Sequence, residues 1–229
     1  MFNNLKSDIN AILEKDPAAN SKLEILLTYD SIKALIGYRI SHKLHAWGFR
    51  LIPRLIMTHI KHVTGIDIHP AATIGKGLFI DHGCGVVIGE TAEIGNNVVI
   101  YQGVTLGGTG KHVGKRHPTV KDNVMISAGA KILGPVIIGE NSKIGAGSVV
   151  ISNVPPHCTV VGVPGRVVRV FGQKVDELNQ QKLPDPILDE FKRLNKRIQT
   201  LEELLGVQCC KYTITDELEG SDPIDSAQL

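Results

Sequence analysis

Two residues fifteen positions apart, Asp67 and His82, are spaced so that they could form an acid–base pair. A carboxylate that accepts a hydrogen bond from one imidazole nitrogen fixes the tautomer of the ring and leaves the other nitrogen free as a base. With Asp67 as the orienting group, His82 could remove the proton from a substrate hydroxyl. An Asp and a His at this spacing are more often structural, so the pair alone assigns no function. Asp81 could be a surface acid or could bind a substrate amino group.

The nine histidines of the chain also raise the alternative of a zinc site, because imidazoles from several copies of a chain can surround one ion. His69, His82 and His117 are the best candidates. No two of them form a close ligand pair such as His-x-His, and no set of acidic partners accompanies them. We therefore expect no metal, and we keep a zinc site as the alternative that metal analysis would test.

The elements that must position these residues follow a repeat of six, which continues from residue 68 to residue 150. Aliphatic residues lead the repeats in three series: Ile68, Ile74 and Ile80; Ile88, Ile94, Ile100 and Leu106; Val120, Ile126, Ile132, Ile138, Ile144 and Val150. This period is typical of a parallel β-helix, in which each hexad forms one flat side and three sides close a coil of about eighteen residues. Successive coils are about 4.8 Å apart. Asp67 and His82, nearly one coil apart, can therefore meet at one edge.

The repeat is interrupted twice. Ile80 and Ile88 are eight residues apart, so two extra residues follow directly after Asp81 and His82. Leu106 and Val120 are fourteen apart, so about eight extra residues form a loop rich in glycine, histidine and cations. We predict that the first interruption widens a corner and points His82 toward a neighbouring subunit. The second is predicted to be a flexible cationic arm, with a solvated surface loop as the alternative.

Three segments are expected, and the fold class is α+β. Residues 1–65 carry apolar residues at the three-and-four spacing of amphipathic helices, and residues 66–170 carry the β-helix. Residues 171–229 form an extension with a heptad seam at about 185–206, which could dock on the chain's own body or form an intermolecular coiled coil. Its acidic tail is expected to be loose.

Composition excludes several classes of function. A net charge of +2 gives no reason to expect nucleic acid or a membrane surface as a partner. The four cysteines form no CxxC pair and no signal peptide opens the chain, so a reduced, cytoplasmic setting is expected. The charge-free run 144–165 is long enough to cross a bilayer, but Asn153, Pro155, Pro156, His157 and four glycines interrupt it, so we reject a membrane span.

Several short runs point to a known family. They are DIHPAA at 67–72, IDH at 80–82, GET at 89–91, VTLGGTG at 104–110, KRHP at 115–118 and VGVPGR at 161–166, with DPA at 16–18 and YRI at 38–40 in the helical segment. Over roughly residues 10–170 they resemble bacterial serine O-acetyltransferases, which are hexapeptide-repeat acyltransferases. The resemblance implies a left-handed parallel β-helix and a homotrimer with active sites between neighbouring subunits. The implied reaction transfers acetyl from acetyl-CoA to the hydroxyl of L-serine, giving O-acetyl-L-serine for cysteine biosynthesis.

The resemblance also implies roles for particular residues. His82 would be the base and Asp67 would orient it. Serine would be recognised by acids that match its ammonium and by cations that match its carboxylate; these residues are Asp16, Asp81, Arg116 and His117. The coenzyme would lie along the coils in a groove lined by Gly108, Thr109, Ala128, Lys143 and Ala146. L-cysteine would inhibit by occupying the serine site.

Two features depart from the family pattern. The helical segment is shorter than in many members, where it joins two trimers, so both a trimer and a dimer of trimers stay open. Many members end in an isoleucine that inserts into cysteine synthase, whereas this chain ends in Ala227-Gln-Leu229. We expect only weak association of cysteine synthase with this tail.

The alternatives are a hexapeptide acyltransferase for another acceptor and a zinc carbonic anhydrase-like or purely structural β-helix. Arg116 and Asp81 favour an amino acid over a sugar as the acceptor.

Overall fold

The computed structural model describes residues 2–110, 113–171, 193–198 and 200–201. The chain divides into two units, Met1–Ile187 and Leu188–Leu229. In the second unit, residues 193–198 and 200–201 are helical. The rest of the predicted heptad helix, the acidic tail and Leu229 lie outside the described residues.

The N-terminal segment is helical, as predicted. Its four helices are α1 (Phe2–Lys15), α2 (Lys22–Thr28), α3 (Asp30–Ala46) and α4 (Leu51–Thr64). The start of α2 is capped by Ser21, whose hydroxyl accepts from the backbone N–H of Glu24, while the Glu24 carboxylate accepts from the N–H of Asn20. Gly65 ends α4 with a left-handed φ of 70°. Among the described residues, no helix is both long and apolar enough to span a bilayer.

From Asp67 to Val170, the described part of the first unit is a parallel β-helix of very short strands. They are β1 (Asp67–Ile68), β2 (Thr73–Ile74), β3 (Phe79–Ile80), β4 (Val87–Ile88), β5 (Glu93–Ile94), β6 (Val99–Ile100), β7 (Thr105–Gly107), β8 (Thr119–Val120), β9 (Met125–Ile126), β10 (Lys131–Leu133), β11 (Ile137–Ile138), β12 (Lys143–Ile144), β13 (Val149–Val150), β14 (Cys158–Val161) and β15 (Arg166–Val170). Strands β14 and β15 pair antiparallel at the end of this segment.

From β1 to β13, every third strand belongs to the same flat side, so the coil has three sheets. Sheet A has the order β1-β4-β7-β10-β13, sheet B β11-β8-β5-β2 and sheet C β15-β14-β12-β9-β6-β3. We call the turns from sheet C to sheet A the C–A corner, and the turns from sheet A to sheet B the A–B corner.

The register of the strands confirms both interruptions of the repeat. Val87 pairs with Thr105, which is the regular eighteen residues later. Asp67 pairs with Val87 across twenty residues, because the coil between them contains the two extra residues after His82. Thr105 pairs with Lys131 across twenty-six, because that coil contains the loop before Thr119.

The leading aliphatic side chains fill the interior of the coil, as the repeat predicted. Ile68, Ile88, Leu106 and Ile132 of sheet A are all essentially inaccessible to solvent. Glycines that follow the leading residues permit close packing between coils. A Cβ on Gly75 would come within 2.6 Å of the carbonyl oxygen of Gly95, so only glycine fits there.

A buried ion pair holds the helices to the first coil. One Asp8 carboxylate oxygen accepts from Arg39 Nη2 at 2.6 Å, and the other accepts from the backbone N–H groups of Gly77 and Leu78. Arg39 also donates to the carbonyl of Gly75. Because both charged groups are hydrogen-bonded, these bonds offset the free-energy cost of removing the two charges from water. This contact fixes α1 and α3 on the β-helix.

A second apolar cluster covers the outer face of sheet C. Phe79, Val99 and Met125 of that face pack with Ile12 of α1 and Ile25 of α2. The loop between α1 and α2 therefore lies close to the end of β3, where Asp81 and His82 follow.

Candidate active site

His82 lies in a widened turn of the C–A corner. The turn between β3 and β4 contains residues 81–86, whereas the equivalent turn between β6 and β7 contains only 101–104. His82 and Gly83 both have left-handed φ angles, of 57° and 55°. The His82 side chain is 75% exposed. The predicted widening of the corner and the outward orientation of His82 are both confirmed; that the ring faces a neighbouring subunit stays a prediction.

Asp81 lies beside His82, and Asp16 and Tyr29 lie near Asp81; we call Asp16, Tyr29 and Asp81 the acidic patch. Asp81 Oδ1 lies 3.8 Å from His82 Nε2. Asp16 Oδ1 accepts from the backbone N–H of Ala18 at 2.8 Å, and its Oδ2 accepts from the Tyr29 hydroxyl at 2.7 Å.

The charges of the acidic patch affect one another. Burial raises the pKa of Asp81; the charge of Asp16 raises it further, while the charge of His82 and a backbone hydrogen bond act in the opposite direction. Burial also raises the pKa of Tyr29 to about 12, with contributions from its hydrogen bond to Asp16 and from the nearby acids. Because the charge of Asp16 acts on Asp81, the two carboxylates are close enough to bind one cation between them.

Asp67 lies one coil below this corner but is bonded elsewhere. Its Oδ2 accepts from Lys61 Nζ at 2.7 Å. In residues 2–110 and 113–171 no hydrogen bond joins Asp67 to His82, and Asp81 is the acid within ion-pair distance of the ring. The backbone does place Asp67 beneath the corner, since Gly85 N–H donates to the carbonyl of Gly65. Its orienting role stays a prediction.

Arg116 and His117 lie at the A–B corner and are held there by the turn after β4. Arg116 Nη2 donates to Glu90 Oε2, and its backbone N–H donates to Thr91 Oγ1. His117 Nδ1 lies 2.9 Å from the same Thr91 hydroxyl. Burial lowers the pKa of His117, and the charge of Arg116 adds to the effect.

This arrangement corrects the prediction of a flexible arm for the basic end of the loop. Lys115 pairs with Glu93 at 3.0 Å and donates to the carbonyl of Thr91. The cations are thus bound by the acids and the hydroxyl of residues 90–93. Lys111 and His112 lie outside the described residues.

The predicted site residues therefore fall into two groups. Asp16, Asp81 and His82 are at the C–A corner, while Arg116 and His117 are at the A–B corner, and sheet A lies between the two corners. A single chain does not bring the acidic patch and the Arg116 guanidinium together.

The three histidines considered for zinc divide in the same way. His69 and His117 are both on the A–B side, where burial lowers the pKa of His69 and the charge of His117 adds a smaller effect, and His82 is on the other corner. Within the described ranges, no group of three or more His, Cys, Asp or Glu side chains is arranged to hold a metal ion.

The predicted coenzyme residues also divide between the corners. Ala128 and Ala146 belong to turns that stack above His82, because Gly129 N–H donates to Gln102 O and Gly147 N–H donates to Ala128 O. In these turns Gly129 and Gly147 have left-handed φ angles, the alanine side chains are small, and Ser127 and Ser148 are buried, so the edge is smooth. Three coils at about 4.8 Å each separate Ala146 from His82 by about 14 Å.

The remaining predicted coenzyme residues lie away from this edge, on sheet C and at the A–B corner. Lys143 is on the outer face of sheet C, in a pocket with Lys15, Asn97, Asn123 and Asn141. Gly108 and Thr109 are at the A–B corner, where a Cβ on Gly108 would come within 3.2 Å of Arg116 Cγ and His117 Nε2. A glycine at 108 thus permits the close packing of the loop.

Sequence reasoning missed three residues of these groups. Glu90 and Thr91 occur in the GET run, but nothing in the sequence indicated that they bind Arg116 and His117. Tyr29 carries no motif, and its contact with Asp16 depends on the packing of α1 and α2. No local pattern could have identified it.

Comparison with known proteins gives consistent results. A family model described as bacterial transferase hexapeptide (six repeats) matches residues 117–152. The chain is 56% identical over 202 residues to a serine acetyltransferase of Bacillus subtilis (strain 168), covering 88% of this chain and 93% of that protein.

Solved structures agree in both sequence and fold. The Neisseria gonorrhoeae serine acetyltransferase in complex with serine has a TM-score of 0.71 and 47% identity, covering 73% of this chain and 69% of that one. A serine acetyltransferase complex with cysteine has a TM-score of 0.72 and 46% identity, covering 73% and 69%. A complex with CoA has a TM-score of 0.69 and 44% identity, covering 72% and 68%.

Proposed function

The chain belongs to the serine acetyltransferase family, and we propose that it transfers an acetyl group from acetyl-CoA to the hydroxyl of L-serine. The observation that carries this proposal is the position of His82, which is exposed at a widened corner beside Asp81, with Asp16 near that carboxylate. L-serine has a hydroxyl and an ammonium on adjacent carbons. An imidazole next to an acidic patch suits that pair of groups.

His82 acts as the general base. Its imidazole takes the proton from the serine hydroxyl as the oxygen bonds to the acetyl carbon, and it returns the proton to the sulfur when the carbon–sulfur bond breaks. Acetyl-CoA, when bound, supplies the acetyl thioester. Asp67 orients the ring once its carboxylate is released from Lys61; that ion pair is exposed at both ends and is worth less than about 1 kcal/mol, so exchange is easy.

Substrate recognition uses charges of both signs. Asp16 and Asp81 bind the ammonium, and Arg116 with His117 binds the carboxylate through the planar guanidinium fork. Because these groups are on different corners of one chain, a complete site needs the C–A corner of one subunit and the A–B corner of another. This supports a site shared between subunits, and we propose a homotrimer, with a dimer of trimers as the larger alternative. The left-handed sense of the β-helix is proposed from the family.

The coenzyme binds between the same two corners, the C–A corner of one subunit and the A–B corner of another. Ala128 and Ala146 form a smooth edge of stacked turns above His82, which fits an extended chain. Lys143 provides a cation for the phosphates of the coenzyme. Gly108 and Thr109 come from the A–B corner of the other subunit. A similar structure contains CoA, which supports binding of the coenzyme by this chain.

Inhibition by L-cysteine and a cytoplasmic setting are proposed by analogy with the family. L-cysteine carries the same ammonium and carboxylate as L-serine, so we propose that it competes for the serine site, in keeping with the similar structure that contains cysteine. We also propose a cytoplasmic setting and weak association of cysteine synthase with the tail that ends at Leu229. The C-terminal heptad helix is proposed to dock or to pair with another copy.

The decisive assay measures CoA release with L-serine against acceptors that lack one of its charges. We expect turnover with L-serine, and at least ~10-fold lower kcat/KM with ethanolamine or 3-hydroxypropanoate, because each leaves one set of charges unpaired. L-cysteine should raise the KM for L-serine without changing kcat. Equal turnover of all three acceptors would indicate another acyltransferase, and zinc in the purified protein with no turnover would favour the carbonic anhydrase-like alternative.

The KM for L-serine is expected to rise as the pH falls from neutral to mildly acidic. Burial raises the pKa of Asp81, so this carboxylate gains its proton at a higher pH than an ordinary aspartate does. The protonated form no longer attracts the ammonium. Steady-state KM values across this pH range test the expectation, and Asp81→Asn should give a high KM that does not change with pH in this way. A wild-type KM that stays constant would exclude Asp81 from ammonium binding.

A further inference from the structure

Tyr29 connects the helical layer to the carboxylate of Asp16 in the acidic patch. It stands at the junction of α2 and α3, where its backbone N–H caps the end of α2 by donating to Ile25 O. Its ring packs against the apolar cluster that contains Ile12, Ile32 and Phe79. Its hydroxyl, at the other end of the ring, donates to Asp16 Oδ2 at 2.7 Å. The phenol is thus fixed at both ends.

Asp16 depends on this phenol for its orientation. It belongs to the short loop 16–21 between α1 and α2, and its other oxygen accepts from the backbone N–H of Ala18. One donor on each oxygen sets the plane of the carboxylate. An ionised carboxylate has about four acceptor sites, so two remain for a ligand.

The Tyr29 hydroxyl that donates to Asp16 is neutral, so it does not cancel the negative charge of the carboxylate. Burial and the nearby acids raise the pKa of Tyr29 to about 12, so the hydroxyl keeps its proton at neutral pH. A lysine or arginine in the same place would orient Asp16 but would also cancel its charge. A phenol orients the carboxylate and leaves the charge available for an ammonium group.

We propose that Tyr29 is a positioning residue for the substrate ammonium, acting through its hydrogen bond to Asp16. The inference rests on the proposed function, since it assigns to Asp16 and Asp81 the ammonium of L-serine. Tyr29 does not touch the reacting atoms. Its removal is therefore expected to change substrate affinity and to leave the chemical step intact.

The test compares Tyr29→Phe with Tyr38→Phe. Each substitution removes one hydroxyl and keeps the ring; Tyr38 donates to the carbonyl of Ala72 between α3 and the first coil, away from the acidic patch. For Tyr29→Phe we expect the KM for L-serine to rise about tenfold, as for loss of one hydrogen bond to a charged group. Its kcat and its KM for acetyl-CoA should stay within about twofold of wild type. For Tyr38→Phe we expect a lower Tm and an unchanged KM for L-serine.

The outcomes separate the two proposals. If the wild-type enzyme does not turn over L-serine, the proposed function fails and takes the inference with it. If the wild type is active and Tyr29→Phe has the wild-type KM, only the inference about Tyr29 is overturned. If Tyr29→Phe lowers kcat and Tm and also raises the KM for both substrates, the role of Tyr29 is structural, which also overturns the inference.

Discussion

Replacing His82 with alanine is expected to lower kcat by at least ~100-fold, because the serine hydroxyl then has no positioned base to accept its proton. The protein should keep its fold and its oligomeric state, since the His82 side chain is exposed and belongs to no buried cluster. Steady-state CoA release measures the effect. Circular dichroism and size-exclusion chromatography check the fold and the assembly.

His157→Ala is the matched control for this variant. His157 is also exposed and also has a left-handed φ of 57°, so replacing it imposes the same kind of backbone change in another turn. Its ring stacks on Phe171 and lies on neither predicted corner of the site. We expect its kcat to match that of the wild type. Near-normal activity of His82→Ala would exclude His82 as the base, even if the family reaction were observed.

Mixing two impaired variants, His82→Ala and Arg116→Ala, is expected to restore activity. Arg116→Ala should raise the KM for L-serine about 100-fold, because the substrate carboxylate loses its charged partner. If each site takes His82 from one subunit and Arg116 from the next, random mixing in a cyclic trimer leaves about one site in four with both residues. Co-refolding the chains in equal amounts and measuring CoA release at low serine tests this.

A second mixture shows whether the recovery has the proposed cause. His82→Ala mixed with Asp81→Ala should recover nothing, because these neighbours serve the same site from the same chain. Recovery in that mixture would mean that subunit exchange alone restores activity. No recovery with Arg116→Ala, in chains shown by mass spectrometry to exchange, would place the whole site within one chain.

The coil and its interruptions were readable from residue order alone. Each hexad contributes one leading aliphatic to the interior, and this constraint acts on neighbours in sequence, so Ile80, Ile88, Leu106 and Val120 report the extra residues directly. The strand register then follows, with Val87 pairing with Asp67 and Thr105. The exposure of His82 could be predicted for the same reason, because a widened turn has no place in the packed interior.

The hydrogen-bond and ion-pair partners of the candidate site residues could not be predicted from the repeat. The sequence spacing predicted that Asp67 lies close to His82, yet in the structure the Asp67 carboxylate accepts a hydrogen bond from Lys61 of α4. The loop looked like a free arm, yet Lys115 and Arg116 are bonded to Glu93 and Glu90. Hydrogen bonds of side chains depend on distances of a few tenths of an ångström, and a repeat of six sets only the position of the backbone.

The sequence by itself determined the architecture, the family resemblance and the residue types of the site, because these depend on local periodicity and on short motifs. Only the tertiary structure decided which corner each residue occupies. It separated the acidic patch from Arg116 by the width of sheet A, and it brought Tyr29 to Asp16 through the packing of helices on sheet C. Those contacts join residues of different elements, and they follow from how the apolar faces of these elements pack against one another.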